Sequence, residues 1–275
     1  MTGTVTIKEI KAFLEEMKED AVSAYAAQAA FFIMMSAFPF IMLLLTLIQY
    51  LPVTEEVLII MAESTIPAAF SRYVVSLIEE IYAQPSVAII SVTFVATVWA
   101  ASKSFLAIIR GCNSVYDIKE TRNYVELRLW ASLYTVVFAV IIVVTLTVMV
   151  FGNTIAIAVG EQFPILQEMA LLIISLRTAV GFGIMFGFFL LLYVAVPNRK
   201  GKIAEEIPGA ILTAVGWISF SYLFSFYIDN FANFDTYGSL TAIIFLMLWL
   251  YACMYMFFIG GEVNVWIQEH KNKKK

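Results

Sequence analysis

Two cations, Lys103 and Arg177, fall inside long apolar stretches of this 275-residue chain. Charge at membrane depth points to a binding site or a relay, because hydrocarbon does not solvate it. The Arg177 guanidinium is planar and could grip a phosphate or carboxylate through paired hydrogen bonds. Lys103 carries a point charge on a long stem, which reaches an interface as readily as a ligand. The competing reading makes both of them interfacial anchors. Among the acids, Glu262 stands beside Asn264 in Gly260-Gly-Glu-Val-Asn264, at the end of the last apolar run. A buried Glu262 needs a cationic partner, and Lys103, Arg110 and Arg128 lie at similar depth, so an ion pair with one of them is expected. Asp229 and Asp235 bracket a turn of amides and aromatics that runs into Tyr237, Gly238 and Ser239. That turn fits either a small ligand or cation site or simple hydration, with Ser239 capping the next helix. Glu262, Asp229 and Asp235 are also the acids placed to exchange protons. Ser36 precedes Pro39, which removes a backbone hydrogen bond and should kink its helix. Pro39 and Gly238 are therefore the candidate hinges.

Other chemistry is poorly supported. The single histidine, His270, argues against a histidine-based zinc site or a Ser-His-Asp triad. There is no GxxxxGK[ST] phosphate loop, and no metal or cofactor is expected. Cys112 and Cys253 belong to different depths, so no disulfide is expected. Glu205-Glu206 before Pro208 reads as a helix start, where acids meet the positive end of the dipole.

Six apolar stretches must position these groups: residues 29–51, 86–109, 130–151, 170–196, 208–228 and 240–259. Each is long enough to cross a hydrocarbon core of about 30 Å. Composition agrees, with 61% hydrophobic and only 14% charged residues, against about 25% charged in soluble domains. Fourteen of the seventeen Lys and Arg residues fall in alternate connections: the N-terminal arm, the second and fourth loops and the tail. Such segments stay in the cytoplasm, so both termini are expected inside a multi-pass cell-membrane protein. The basic inner face also suits anionic lipid head groups.

The expected fold is all-α: a polytopic bundle of six transmembrane helices, an N-terminal interfacial helix and short amphipathic outer helices. It reads as one membrane domain over residues 1–275, with a cytoplasmic arm (1–28), the bundle (29–267) and a basic tail (268–275). In the arm, Thr6 and Glu9 form a capping box with Val5 and Ile10 as its staple, and Ile7, Ile10, Leu14, Met17 and Ala21 share one face. Residues 54–82 should form two amphipathic helices over the outer mouth, as packing or as a lid. Gly183-x-x-x-Gly187 predicts close approach of another helix.

Several motifs occur together: Ala29-Ala-Phe-Phe with Ser36 and Pro39, Trp99-Ala-Ala-Ser102, Asn113 and Tyr116 before Arg128, Pro208-Gly209, Tyr237-Gly-Ser-Leu240, Trp249-Leu-Tyr251 and Gly260-Gly-Glu-Val-Asn264. In order and spacing the set resembles the YihY/BrkB family of bacterial inner-membrane proteins, over almost the whole chain. Lys103 departs from the pattern, since the family carries a small residue after that serine. The resemblance implies a six-helix membrane protein with a transport role, and it brings an older label, ribonuclease BN. The residues do not support that label, because the inner loops are short and their acids alternate with Lys and Arg.

The expected function is thus a non-enzymatic transporter of a lipid-like amphiphile or small anionic solute. Its partners would be membrane lipids, not nucleic acid, with a homo-oligomer left open. The alternative is a non-transporting scaffold or regulator of envelope assembly.

Overall fold

The computed structural model of the chain describes residues 7–48, 54–65, 68–83, 87–141, 177–231 and 239–272. Among them there are helices and no strands. In chain order they are α1 (Ile7–Glu19), α2 (Val22–Ile48), α3 (Glu55–Thr65), α4 (Ala68–Ala83) and α5 (Val87–Val115). Then come α6 (Tyr124–Ile141), α7 (Arg177–Ala195), α8 (Ile203–Phe231) and α9 (Ser239–Asn272).

Five described segments are long and apolar enough to cross a membrane: Val22–Met42, Phe94–Val115, Tyr124–Ile141, Ile203–Ile228 and Thr241–Lys271. The expected fourth span is represented by a shorter apolar helix, Gly181–Ala195. The all-α polytopic architecture is thus present. Several helices run beyond the apolar stretches at one end of the bundle: α5 continues to Val115, α8 begins at Ile203 and α9 continues to Asn272. Hydropathy excludes these extra turns because they are polar, and they carry the groups that join the helices. This end gathers α1, the loops at residues 116–123 and 196–202, and the end of α9, and it is called the basic end below.

Local signals set the junctions. Ala21 adopts φ 52° between α1 and α2 and breaks the helix with one left-handed residue. Asp117 does the same after α5, at φ 48°. There the Ile118 N–H reaches the Asn113 carbonyl at 2.7 Å and the Asp117 N–H the Ser114 carbonyl at 2.9 Å, a Schellman closure. The Asn123 side chain accepts the Glu126 N–H at 2.9 Å and caps α6. The expected outer pair is seen as α3 and α4, which pack through Ala62 and Ile78 with Ile41 of α2 alongside. In α1 only Met17 is buried, while Ile7, Ile10 and Leu14 of the predicted face are exposed. Its Val5–Thr6 cap lies outside the described residues.

Packing is one-sided. The main core runs through Ala26, Ala29, Phe105–Ile109, Ala131, Phe189, Tyr193, Ala210, Ala214, Met254, Phe257 and Phe258, all towards the basic end of their helices. The stacked rings of Tyr193 and Phe257, 4.8 Å apart, lie at its centre. Towards the other end, exposed apolar side chains prevail: Phe38, Val92, Val95, Val140, Tyr222 (73% exposed), Leu223 and Phe226. The glycines follow the same division. A methyl group on Gly209 would strike Asn264 at 2.5 Å and the Gly260 carbonyl, and one on Gly260 would meet the Gly209 carbonyl at 2.8 Å. Helices α8 and α9 therefore cross with their backbones nearly touching. Around Gly181, Gly183 and Gly187 none of the described residues lies within 4 Å of such a methyl. The close approach expected at Gly183-x-x-x-Gly187 is therefore not made by any described helix.

Candidate functional site

The first turn of α8 carries Glu206 inwards, where the dipole favours an acid. Its side chain is 0% exposed. Arg199, from the loop before α8, donates to Glu206 Oε1 at 2.5 Å. The Tyr116 hydroxyl, placed by the Schellman closure, donates to Oε2 at 2.5 Å. Asn264 Nδ2 donates to the same oxygen at 3.0 Å, and Gln268 Nε2 reaches Oε1 at 3.4 Å. The Asn264 carbonyl oxygen accepts the Gly209 N–H at 2.6 Å. The Arg199 guanidinium lies 3.8 Å from the Tyr116 ring centroid, a cation–π contact. Burial first, and Glu206 next, push the Tyr116 phenol up, so it stays protonated and donates. Three segments distant in sequence are thus joined around one carboxylate.

A second cluster adjoins it. Arg122 donates to both Glu120 oxygens, at 2.8 and 2.7 Å, and Asn113 Nδ2 donates to Glu120 at 2.7 Å. Asn198 links the clusters: its N–H donates to Asn113 at 2.9 Å and its side chain to Glu120 at 3.1 Å. The hydrogen bond from Arg122 holds the Glu120 carboxyl well below its ordinary range, at about 2.

Glu262 does not form the expected ion pair. Its side chain is buried and neither carboxylate oxygen has a hydrogen-bond partner. Lys103 and Arg110 are both exposed. Arg128 is engaged elsewhere, donating to the Trp99 carbonyl at 2.9 Å with its guanidinium 4.4 Å from the Trp99 ring. Glu262 is level with Val115, which lies 3.2 Å from a methyl position on Gly261, so Lys103 and Arg128 sit several turns away along the bundle and Arg110 points outwards. The groups facing Glu262 are instead acids, Asp20 and Glu16.

The remaining predicted residues are dispersed. Lys103 lies on the exterior with Nζ 5.4 Å from the Phe32 ring, one turn from Trp99 on the same face of α5. The Ser36 hydroxyl donates to the Ile33 carbonyl at 2.8 Å inside α2, and α2 continues through Pro39. Arg177 is the first residue of α7, Ser239 the first of α9, and Asp229 lies within α8. Asp235, Tyr237 and Gly238 lie outside the described residues. Of all these groups, only Asn264 and Glu262 belong to the clusters of the basic end. Tyr116, Arg199, Glu206, Gln268 and Asp20 were not anticipated as partners. One signal did exist for the crossing, the small residues of Gly209-x-x-x-Thr213 on α8 and Gly260 on α9, which face each other. Cys112 and Cys253 are free and buried, as expected. Among the described residues no group of three or more His, Cys, Asp or Glu is arranged to hold a metal.

Comparison with known proteins gives a consistent result. The chain is 34% identical over 251 residues to the putative ribonuclease-like protein YfkH of Bacillus subtilis, covering 90% of each. It is 23% identical over 280 residues to a UPF0761 membrane protein of Alteromonas mediterranea, covering 96% of this chain and 88% of that one. A UPF0761 membrane protein of Chlorobium phaeobacteroides is 26% identical over 233 residues, covering 79% and 53%. No solved structure matches. The family model described as Virulence factor BrkB matches residues 13–275, and with its apolar helices and membrane-protein relatives the chain belongs to that family as a multi-pass membrane protein.

Proposed function

We propose that the protein is a carrier in the cell membrane, with both termini cytoplasmic, that moves a lipid-like amphiphile or small anionic solute. The observation that carries this reading is the one-sided packing. The basic end is closed by buried ion pairs and touching glycines, while the described residues of the other half leave a face of α7 uncovered. Closure by packing and ion pairs at one end, as these described residues have it, suits one conformation of an alternating-access cycle. Lys103 and Arg128, spread over aromatic rings on the exterior, favour an amphiphile with an anionic head group. On this reading the protein is no enzyme and binds membrane lipids rather than nucleic acid. Self-association is compatible with it. The acids of the basic clusters support the non-enzymatic part, since Glu206 and Glu120 are committed to arginines.

One observation favours a non-transporting scaffold instead: Lys103 faces outwards and lines no interior path. Cysteine labelling separates the two. Gly187→Cys and Ala210→Cys would be probed with a membrane-impermeant maleimide in right-side-out and inverted vesicles. A carrier labels Gly187→Cys from the outside only and leaves Ala210→Cys, in the sealed end, unlabelled. Labelling of Gly187→Cys by a lipophilic maleimide alone means that this face meets lipid, and carriage is then wrong.

A further inference from the structure

Glu262 lies at the basic end but takes no part in the Glu206 and Glu120 clusters. It is 1% exposed, and both of its carboxylate oxygens lack a hydrogen-bond partner. The charged groups that act on it are acids. From the α1–α2 turn comes Asp20, and from α1 comes Glu16. Around Asp20 stand Glu19 and, past the end of α5, Asp117. From α5 itself, Ser114 donates its hydroxyl to Asp20 Oδ1 at 3.2 Å. The Tyr116 hydroxyl lies 4.0 Å from the position of a methyl on Gly261, but it is spent on Glu206. His270, further along α9, lies 3.9 Å from Glu9. Among the described residues no Lys, Arg or His pairs with Glu262 or Asp20.

Two neighbouring carboxyls, one of them fully buried, cannot both remain ionised without a cation between them. The described donors do not make a metal site. We propose that Glu262 and Asp20 form a proton-binding site, with the proton resident on Glu262, and that its loss releases α1 from α9. The inference goes beyond the proposed carriage and stands whether or not the chain carries a solute. Burial, ahead of its acidic neighbours, raises the Asp20 carboxyl above its ordinary value. The sign follows from linkage. The docked state binds more protons than the released one, so docking is complete at low pH and is lost as pH rises through the raised value. The element that moves is identified by position: Asp20 ends α1 beside the left-handed Ala21, a single-residue joint. Apart from this site, Met17, its one buried residue, the half-buried Phe13 against the main core and the wide Glu9–His270 contact hold α1.

The test uses the full chain in detergent or nanodiscs. Infrared difference spectroscopy reads the carbonyl stretch of a protonated carboxyl as pH rises. A nitroxide at Ala12→Cys, on the exposed side of α1, reads its mobility. The wild type should lose a carboxyl band on alkaline titration while α1 becomes mobile. Glu262→Gln, the neutral isostere, should lack that band and keep α1 immobile throughout. A band that persists in Glu262→Gln, or α1 mobility that ignores pH in the wild type, overturns the proposal. Should Glu262→Gln fail to fold, the wild type and Asp20→Asn carry the test. The pH-driven release must then be present in the first and absent in the second.

Discussion

Arg199→Ala is the sharpest test of how the basic end holds together. Arg199 provides the only cation paired with Glu206 among the described residues. Truncation leaves a carboxylate with 0% exposure and no counter-charge. Breaking a buried pair from one side costs about 3–5 kcal/mol. The lower end applies here, because Arg199 is 23% exposed and the bonds from Tyr116 at 2.5 Å and Asn264 at 3.0 Å survive. Losing the contact with the Tyr116 ring contributes about 0.5–1 kcal/mol of this. The expected loss is about 3 kcal/mol, roughly a hundredfold in the folded-to-unfolded ratio. Equilibrium unfolding in mixed micelles, followed by the fluorescence of the five tryptophans, measures it. Adding Glu206→Gln to Arg199→Ala removes the orphaned charge and should recover about 2 kcal/mol. If Arg199→Ala costs under about 1 kcal/mol, or the second change only adds to the loss, the buried pair is not what joins these helices.

Other predictions follow from the glycines and from Glu120. Gly260→Ala puts a methyl against the Gly209 carbonyl, Thr213 and Tyr193, and should destabilise by about 1–3 kcal/mol or more in the same assay. Gly187→Ala meets none of the described residues and should be neutral or stabilise by up to about 1 kcal/mol through helix propensity. The hydrogen bond from Arg122 lowers Glu120 from 4.5 to about 2, so this pairing stabilises the fold above 4.5 and loses its effect as pH falls towards 2. Unfolding measured across that acid range should show a shallower pH slope in Glu120→Gln than in the wild type. Native mass spectrometry should show an anionic lipid on the wild type that is lost when Lys103→Ala and Arg128→Ala are combined.

Apolar length and the alternation of charge made the helices legible, including the pair α3 and α4. Those signals are local, and one stretch of sequence contains them whole. The clusters were not legible because each is assembled from separate segments. Glu206 reads as a helix-start acid, which it is, and nothing nearby announces that Tyr116 and Asn264 converge on it. Glu262 shows the limit of depth arguments. Apolar length alone does not fix how two helices are paired in height: Gly261 meets Val115, so Lys103 lies about three turns short of Glu262, and Arg110 points outwards. The glycines teach the same lesson in reverse. Spacing alone cannot tell the Gly183–Gly187 face, which no described helix meets, from the touching pair Gly209 and Gly260.

The order in which the chain is made gives the Glu206 cluster a further meaning. Tyr116, Arg199 and Glu206 are synthesised and inserted well before Asn264 and Gln268. Until the last helix arrives, the Gly209 N–H lacks the acceptor that Asn264 supplies, and α8 has no surface as small as Gly260 to cross against. A nascent chain halted before residue 264 therefore holds an arginine–glutamate pair in a half-built bundle, open to water or to membrane proteases. The final helix thus completes the basic end, and chains that stop short of it should be less stable than the full chain.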